Sequence, residues 1–290
     1  MRGAVAVLLL ILNLIVIPLL VFITGVVGKL LPIKFWRKFW GKIAENILTP
    51  LWVDINSAIL RFASSTKIIV ENHGDLHHKG WYCLISNHQS WLDILLLQKV
   101  FNRKIPVLKF FMKQSLIWKL PIAGLSCWAI DFPFMKRYSK SYLKKYPEKK
   151  GKDREITRKA CQKFKYKPVA VTNFLEGTRF TEKKHHQQAS PYQHLLRPHA
   201  SSLAFVLYAL QDCLSDMINV TIIYPTDKSK FLAFITGKIE KVIIHYEVFP
   251  ISSELRGNYY EDKEYRKQFQ TWLNEKWEEK DKLLELVKKK

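Results

Sequence analysis

Residues Gly3 to Gly28 form an unbroken run without a charge, and Asn13 and Thr24 are its only polar side chains. As a helix it would extend about 39 Å at roughly 1.5 Å per residue, enough to cross a bilayer with some tilt. Pro18 predicts a kink that neighbouring protein or a re-entrant path tolerates. No small-x-small cleavage pattern follows, so the run reads as a retained anchor rather than a removed signal. Lys29, Lys34, Arg37, Lys38 and Lys42 come before the next acid, Glu45, and alternate with Phe35, Trp36, Phe39 and Trp40. Cations beside aromatics suit a headgroup layer and place the rest of the chain in the cytoplasm, at the inner membrane. Crossing the bilayer, lying in one leaflet, and a buried hairpin of core helices all remain compatible with this pattern.

Charge narrows the partners. Lys and Arg number 47 against 25 acids, a formal charge of +22, which suits nucleic acid, anionic lipid or acidic substrates. Fourteen of these cations fall between Lys136 and Lys167, interleaved with aromatics such as Tyr138 and Tyr146. Behind an anchor, such a face is expected to meet anionic headgroups, or an acidic acyl carrier protein, and no nucleic acid. The four cysteines make no CxxC pair, which argues against a zinc ribbon and suits a reducing compartment. His185, His186 and His194 lack a carboxylate or cysteine in matching register, so no metal is expected.

The remaining chain alternates strands and helices. Short β-branched or apolar strands are predicted at Lys67 to Glu71, Trp81 to Ser86, Ala129 to Phe132, Val169 to Leu175, Val220 to Tyr224 and Lys241 to Val248. Helices are predicted at Ile43 to Ala63, Trp91 to Val100, Lys152 to Phe164 and Ser201 to Leu210, with an amphipathic tail helix from Asp262. The stretch Leu120 to Phe134, broken by prolines and Asp131, is expected to be a loop and buried strand beside the site. This order predicts an α/β fold with a mostly parallel central sheet flanked by helices, behind an N-terminal membrane-anchoring helical segment.

Chemistry concentrates where predicted strands end. Asn87-His88-Gln89-Ser90-Trp91-Leu92-Asp93 follows one strand and opens a helix. On one helix, His88 and Asp93 would lie about 140° apart. They meet only if His88 sits in the turn and Asp93 in the first helical turn, with Ser90 as cap in a capping-box arrangement. One ring nitrogen then donates to the carboxylate and the other is left as a base. The blander alternative is that Asp93 only caps the helix. Ser90 reads as a cap, not a nucleophile. A second strand ends in Glu176-Gly177-Thr178-Arg179, where glycine permits close backbone approach and Arg179 offers a fork suited to phosphate. Phe134-Met135-Lys136-Arg137 adds two cations at another strand exit. A base beside cationic turns points to a hydroxyl nucleophile on a phosphorylated substrate.

Taken in order, NHQSWLD, FMKR, EGTRF and TIIYP resemble the four blocks of the PlsC-like glycerolipid acyltransferases, over roughly residues 67 to 250. The likeness is closest to the YihG-like or lysocardiolipin-acyltransferase-like branch, with its DFPFMKR-type second block. The resemblance implies that His88 and Asp93 are the catalytic pair, and that Lys136, Arg137 and Glu176, Gly177, Thr178 and Arg179 hold the acceptor phosphate. It makes Asn87 and Pro225 pocket-shaping. It implies acyl transfer from acyl-CoA or acyl carrier protein to a lysophospholipid hydroxyl, lysophosphatidate foremost, with no further cofactor. Residues 1–42 would then be the anchor and 43–290 the catalytic domain. Lys136 stands where many members carry aspartate, and Arg197 to Ser202 replace an expected lysine and glycines, so acceptor preference stays open. Remodelling of another lysophospholipid, a non-catalytic lipid-binding scaffold and a tethered nucleic-acid-binding protein are the competing readings.

Overall fold

A computed structural model of the chain describes residues 1–135, 145–146, 155, 158–159, 161–225 and 230–288. Its centre is a six-stranded sheet formed by β1 (Lys67–His73), β2 (Trp81–Ser86), β3 (Leu108–Phe110), β6 (Val169–Phe174), β7 (Asp216–Ile223) and β8 (Lys241–Pro250). The spatial order is β1-β8-β7-β2-β6-β3, and every pairing is parallel except β7 with β8. Two-residue strands β4 (Met112–Lys113) and β5 (Phe134–Met135) pair separately.

Alternation along the strands divides the core into two layers. Cys83 and Ile85 of β2 face one side, with Val171, Met217 and the apolar residues of α8 (Ala200–Ala209) and α10 (Lys263–Lys288). Tyr82 and Leu84 face the other, with Ala170, Ile218 and residues of α4 (Leu92–Phe101) and α9 (Lys230–Ile235). Helices on both faces explain why β2, β6 and β7 are near-continuous apolar runs, whereas the edge strand β1 is largely exposed. Trp277 of the tail helix is fully buried in the first layer, as core packing.

Helix α1 (Arg2–Leu30) runs through Pro18 and docks on the rest of the chain along its length. Ala6 packs with Ile59 and Ala63 of α3 (Thr49–Ala63), and Asn13 Nδ2 donates to Trp52 O and Asn56 Oδ1. Ile17 and Val21 meet Ala44 and Ile130. The opposite face leaves Leu8, Leu12, Ile15, Leu19 and Ile23 exposed. Helix α2 (Lys34–Lys42) follows and keeps Phe35 and Phe39 exposed.

Three expectations need revision. Leu120 to Phe134 holds no strand at Ala129 to Phe132; it forms α6 (Pro121–Ala129), a turn with Asp131 at φ 63°, and then β5. Pro121 occupies a first-turn position where its missing N–H costs nothing, and α1 supplies a helical neighbour that an isolated apolar run does not reveal. The helix predicted at Ile43 to Ala63 begins with a π-helical turn, Ile43–Leu48, before α3. The helix predicted at Lys152 to Phe164 is helical at the described positions 155, 158–159 and 161, and its end is a 3-10 turn, Gln162–Tyr166.

At the crossing of α1 and α6, a Cβ on Gly25 would lie 2.7 Å from the Ala129 methyl. Gly25→Leu is therefore expected to pry the helices apart and cost about 1–3 kcal/mol, read as a lower unfolding midpoint in detergent. Parent-like stability would show that α1 is not seated there.

Candidate active site

The parallel pairing of β2 with β6 and β7 brings their carboxyl ends together, since Ser86 stands opposite both Phe174 and Val220. In such sheets, ligands gather at this end. The three chain exits meet there as the turn before α4, the turn after β6, and Tyr224.

The turn before α4 folds His88 back onto Asp93. Ser90 Oγ accepts from Leu92 N–H at 3.2 Å, and Asp93 Oδ2 accepts from Ser90 N–H at 2.8 Å. Only the carboxylate half of a capping box forms, since Asp93 N–H goes to the Ser90 carbonyl; the same carboxylate oxygen also takes Gln89 N–H at 2.6 Å and pairs with His88 Nδ1 at 2.8 Å. Tyr224 O–H donates to Oδ1 at 2.5 Å. Capping and pairing with histidine are thus one feature: Asp93, fully buried, accepts from four donors. A carboxylate so surrounded is an acceptor, so His88 Nδ1 carries the proton toward it and Nε2 keeps a lone pair. The imidazole stacks on Phe174 with centroids 4.0 Å apart. Burial and the adjacent Asp93 hold the Tyr224 phenol well above its ordinary range, so it remains a donor.

The turn after β6 contributes in a different way from that expected. Glu176 is fully buried, with both oxygens turned to backbone: Oε1 accepts His88 N–H at 3.0 Å and Oε2 accepts Leu196 N–H at 3.3 Å. With Phe180 N–H donating to His88 O at 2.7 Å, it clips the two turns together. Burial pushes this carboxyl up to about 8, although both backbone N–H groups pull it down. Gly177 adopts φ 66°, and a Cβ there would lie 3.0 Å from the His199 ring. Thr178 Oγ1 accepts from Lys184 Nζ at 2.6 Å, and the Arg179 guanidinium lies 4.4 Å from the Trp91 ring centre, a cation–π stack.

His88, Trp91, Thr178, Arg179 and His199 line one cavity of about 1810 Å³, which also reaches Leu14, Pro18 and Val21 of α1. Its wall includes Lys109, an unforeseen residue on β3, buried and paired with Glu45 at 3.1 Å.

Two further expectations fail. Asn87 does not shape the cavity; it is buried and exchanges hydrogen bonds with Ile222 N–H and C=O at 2.8 and 2.9 Å, lacing β2 to β7. Pro225 is exposed and lines no part of it, because the chain has by then left the sheet. Lys136 and Arg137 lie outside the described residues. Phe174 and Tyr224 went unread as site residues, although Tyr224 belongs to the TIIYP block.

The acyltransferase family profile matches residues 67–224, more than half of the chain, and the chain belongs to that family. Among solved structures it is similar to the 1-acyl-sn-glycerophosphate (LPA) acyltransferase PlsC from Thermotoga maritima, at 16% identity and TM-score 0.47 over 94% of each chain.

Tyr224→Phe should leave one oxygen of buried Asp93 without its donor and lower stability by about 1.5–3 kcal/mol, measured by denaturant unfolding. An unchanged midpoint would mean that this oxygen finds another donor.

Proposed function

We propose that this acyltransferase moves a fatty acyl group from a thioester, acyl-CoA or acyl carrier protein, to the hydroxyl of a lysophospholipid, lysophosphatidate foremost, at the membrane. One observation carries the reading: a histidine whose Nδ1 is committed to a buried carboxylate shares a large cavity with Arg179 and with apolar side chains of α1. His88 Nε2 takes the acceptor's hydroxyl proton as that oxygen attacks the thioester carbonyl carbon. The C–S bond breaks and the departing sulfur recovers the proton from the imidazolium. No residue is acylated. The Asp93 carboxylate holds the tautomer and stabilises the imidazolium. Arg179, held over Trp91, offers its N–H edge to the acceptor phosphate. Membership of the YihG-like branch is part of the same proposal and rests on the DFPFMKR block.

Residues 1–42 serve as the anchor. α1 is a helix long and apolar enough to cross a membrane. Its seating from Gly3, beside Ile235 O, to Gly28, beside Trp40, supports a helix lying in one leaflet, with its leucine face toward lipid. The cationic, aromatic α2 then sits among headgroups and the domain faces the cytoplasm at the inner membrane.

The test is purified protein in detergent with a panel of lysolipids and both donors, read by mass spectrometry. His88→Ala should lower turnover by about 10²–10⁴-fold in a folded protein; retention of more than a tenth contradicts the mechanism. Arg179→Ala should raise the lysolipid KM by about 10–150-fold, the worth of a charge-assisted contact, with Arg179→Lys intermediate. A raised donor KM at normal lysolipid KM would instead move Arg179 to the donor.

A further inference from the structure

The turn that carries Arg179 is braced from behind by the helix that follows it. Gly177, at φ 66°, turns the chain after β6, and Thr181 then caps α7 (Glu182–Gln188), its Oγ1 accepting Lys184 N–H at 3.3 Å. From the first turn of α7 the Lys184 side chain folds back. Its Nζ donates to Thr178 Oγ1 at 2.6 Å and to Arg179 O at 3.1 Å. The lysine stands behind the turn, half-buried, while Thr178 and Arg179 line the cavity. Among the described residues, both acceptors of its hydrogen bonds are neutral oxygens and no carboxylate pairs with it.

We propose that Lys184 is a positioning residue for the acceptor phosphate: its ammonium occupies a lone pair of Thr178 Oγ1 and so turns the threonine O–H into the cavity beside the Arg179 guanidinium. The proposal rests on the reading of that turn as the acceptor-phosphate site. An ammonium has donors only, so the Thr178 proton cannot point at Lys184 and leaves the oxygen in another direction. Among the described residues that proton meets no acceptor, and the Arg179 guanidinium, stacked on Trp91, makes no hydrogen bond or ion pair. Two sets of donors thus reach one cavity with nothing on the described protein to receive them. A phosphate monoester brings the oxygens that both require.

The lysine also strengthens the hydroxyl that it orients. An O–H whose oxygen already accepts from a cation is polarised and becomes a better donor. With no acid to cancel it, the ammonium adds positive charge behind a turn that meets an anion. Its second bond, to Arg179 C=O, fixes the backbone from which the guanidinium reaches over Trp91. Lys184 therefore acts on both donors without touching the substrate.

The test uses the full-length protein in detergent with the lysolipid and acyl donor that turn over in the panel. Lys184→Met keeps the stem and deletes the donor and its charge. Its lysolipid KM should rise about tenfold, the low end of a charge-assisted contact, with the donor KM within about twofold. Lys184→Gln can still donate to Thr178 but carries no charge, and should show a rise of about threefold. Thr178→Val should match Lys184→Met. The double variant should be no worse than the poorer single, whereas independent residues would multiply to about a hundredfold. Multiplied effects, an unchanged lysolipid KM in Lys184→Met, or a raised donor KM in its place would overturn the proposal. So would a lower unfolding midpoint and kcat with both KM values unmoved, the mark of a purely structural brace. If Lys184→Met does not fold, Lys184→Gln decides: an unchanged lysolipid KM rejects the idea. If wild type turns over no lysolipid, the functional reading fails, and glycerol 3-phosphate binding by calorimetry decides instead. Binding about tenfold weaker in Lys184→Met supports the proposal; equal or absent binding overturns it.

Discussion

The site depends on one buried carboxylate. Asp93 gathers a ring nitrogen, two backbone N–H groups and a phenol, drawn from the turn, the helix start and the far strand β7. Each donor satisfies a charge that would be costly to bury alone, and together they set where His88 points. The second carboxylate, Glu176, applies the same logic to the backbone of His88, where its neighbour Asn87 laces β2 to β7. A geometry held by hydrogen bonds from three strand ends requires those ends to coincide, which the parallel sheet provides.

That arrangement also explains how a polar site coexists with an apolar cavity. The His88 ring has Asp93 at its edge and Phe174 at its face, so it marks the boundary between the two. From there the cavity reaches α1, whose opposite face is bare leucine and isoleucine. One helix thus lines the cavity and presents apolar surface outward, which the proposed transfer to a lysolipid at a membrane would use.

Much of this was legible in the residues. WYCLIS and VAVTNF read as strands because both faces are covered, and Ser90 with Asp93 three residues on announced the helix start and hence the fold-back of His88. What could not be read depends on tertiary neighbours. Glu176 looked like a ligand-facing acid, but only the arrival of Leu196 N–H and His88 N–H shows it to be a buried clamp. Pro121 to Ala129 is too short and broken to declare itself a helix until α1 lies across it. Lys280 sits among surface charges of an amphipathic tail, and nothing in its local pattern says that it points inward.

The central claim is that His88 activates the acceptor hydroxyl for direct transfer, with no acylated residue on the way. Thiol release measured with and without lysolipid, alongside the intact mass of the protein, tests it most directly. The account predicts release that requires the acceptor, matches diacyl product one for one, and leaves the protein mass unchanged. Thiol released from the donor alone, with the protein gaining the mass of an acyl group, would contradict it.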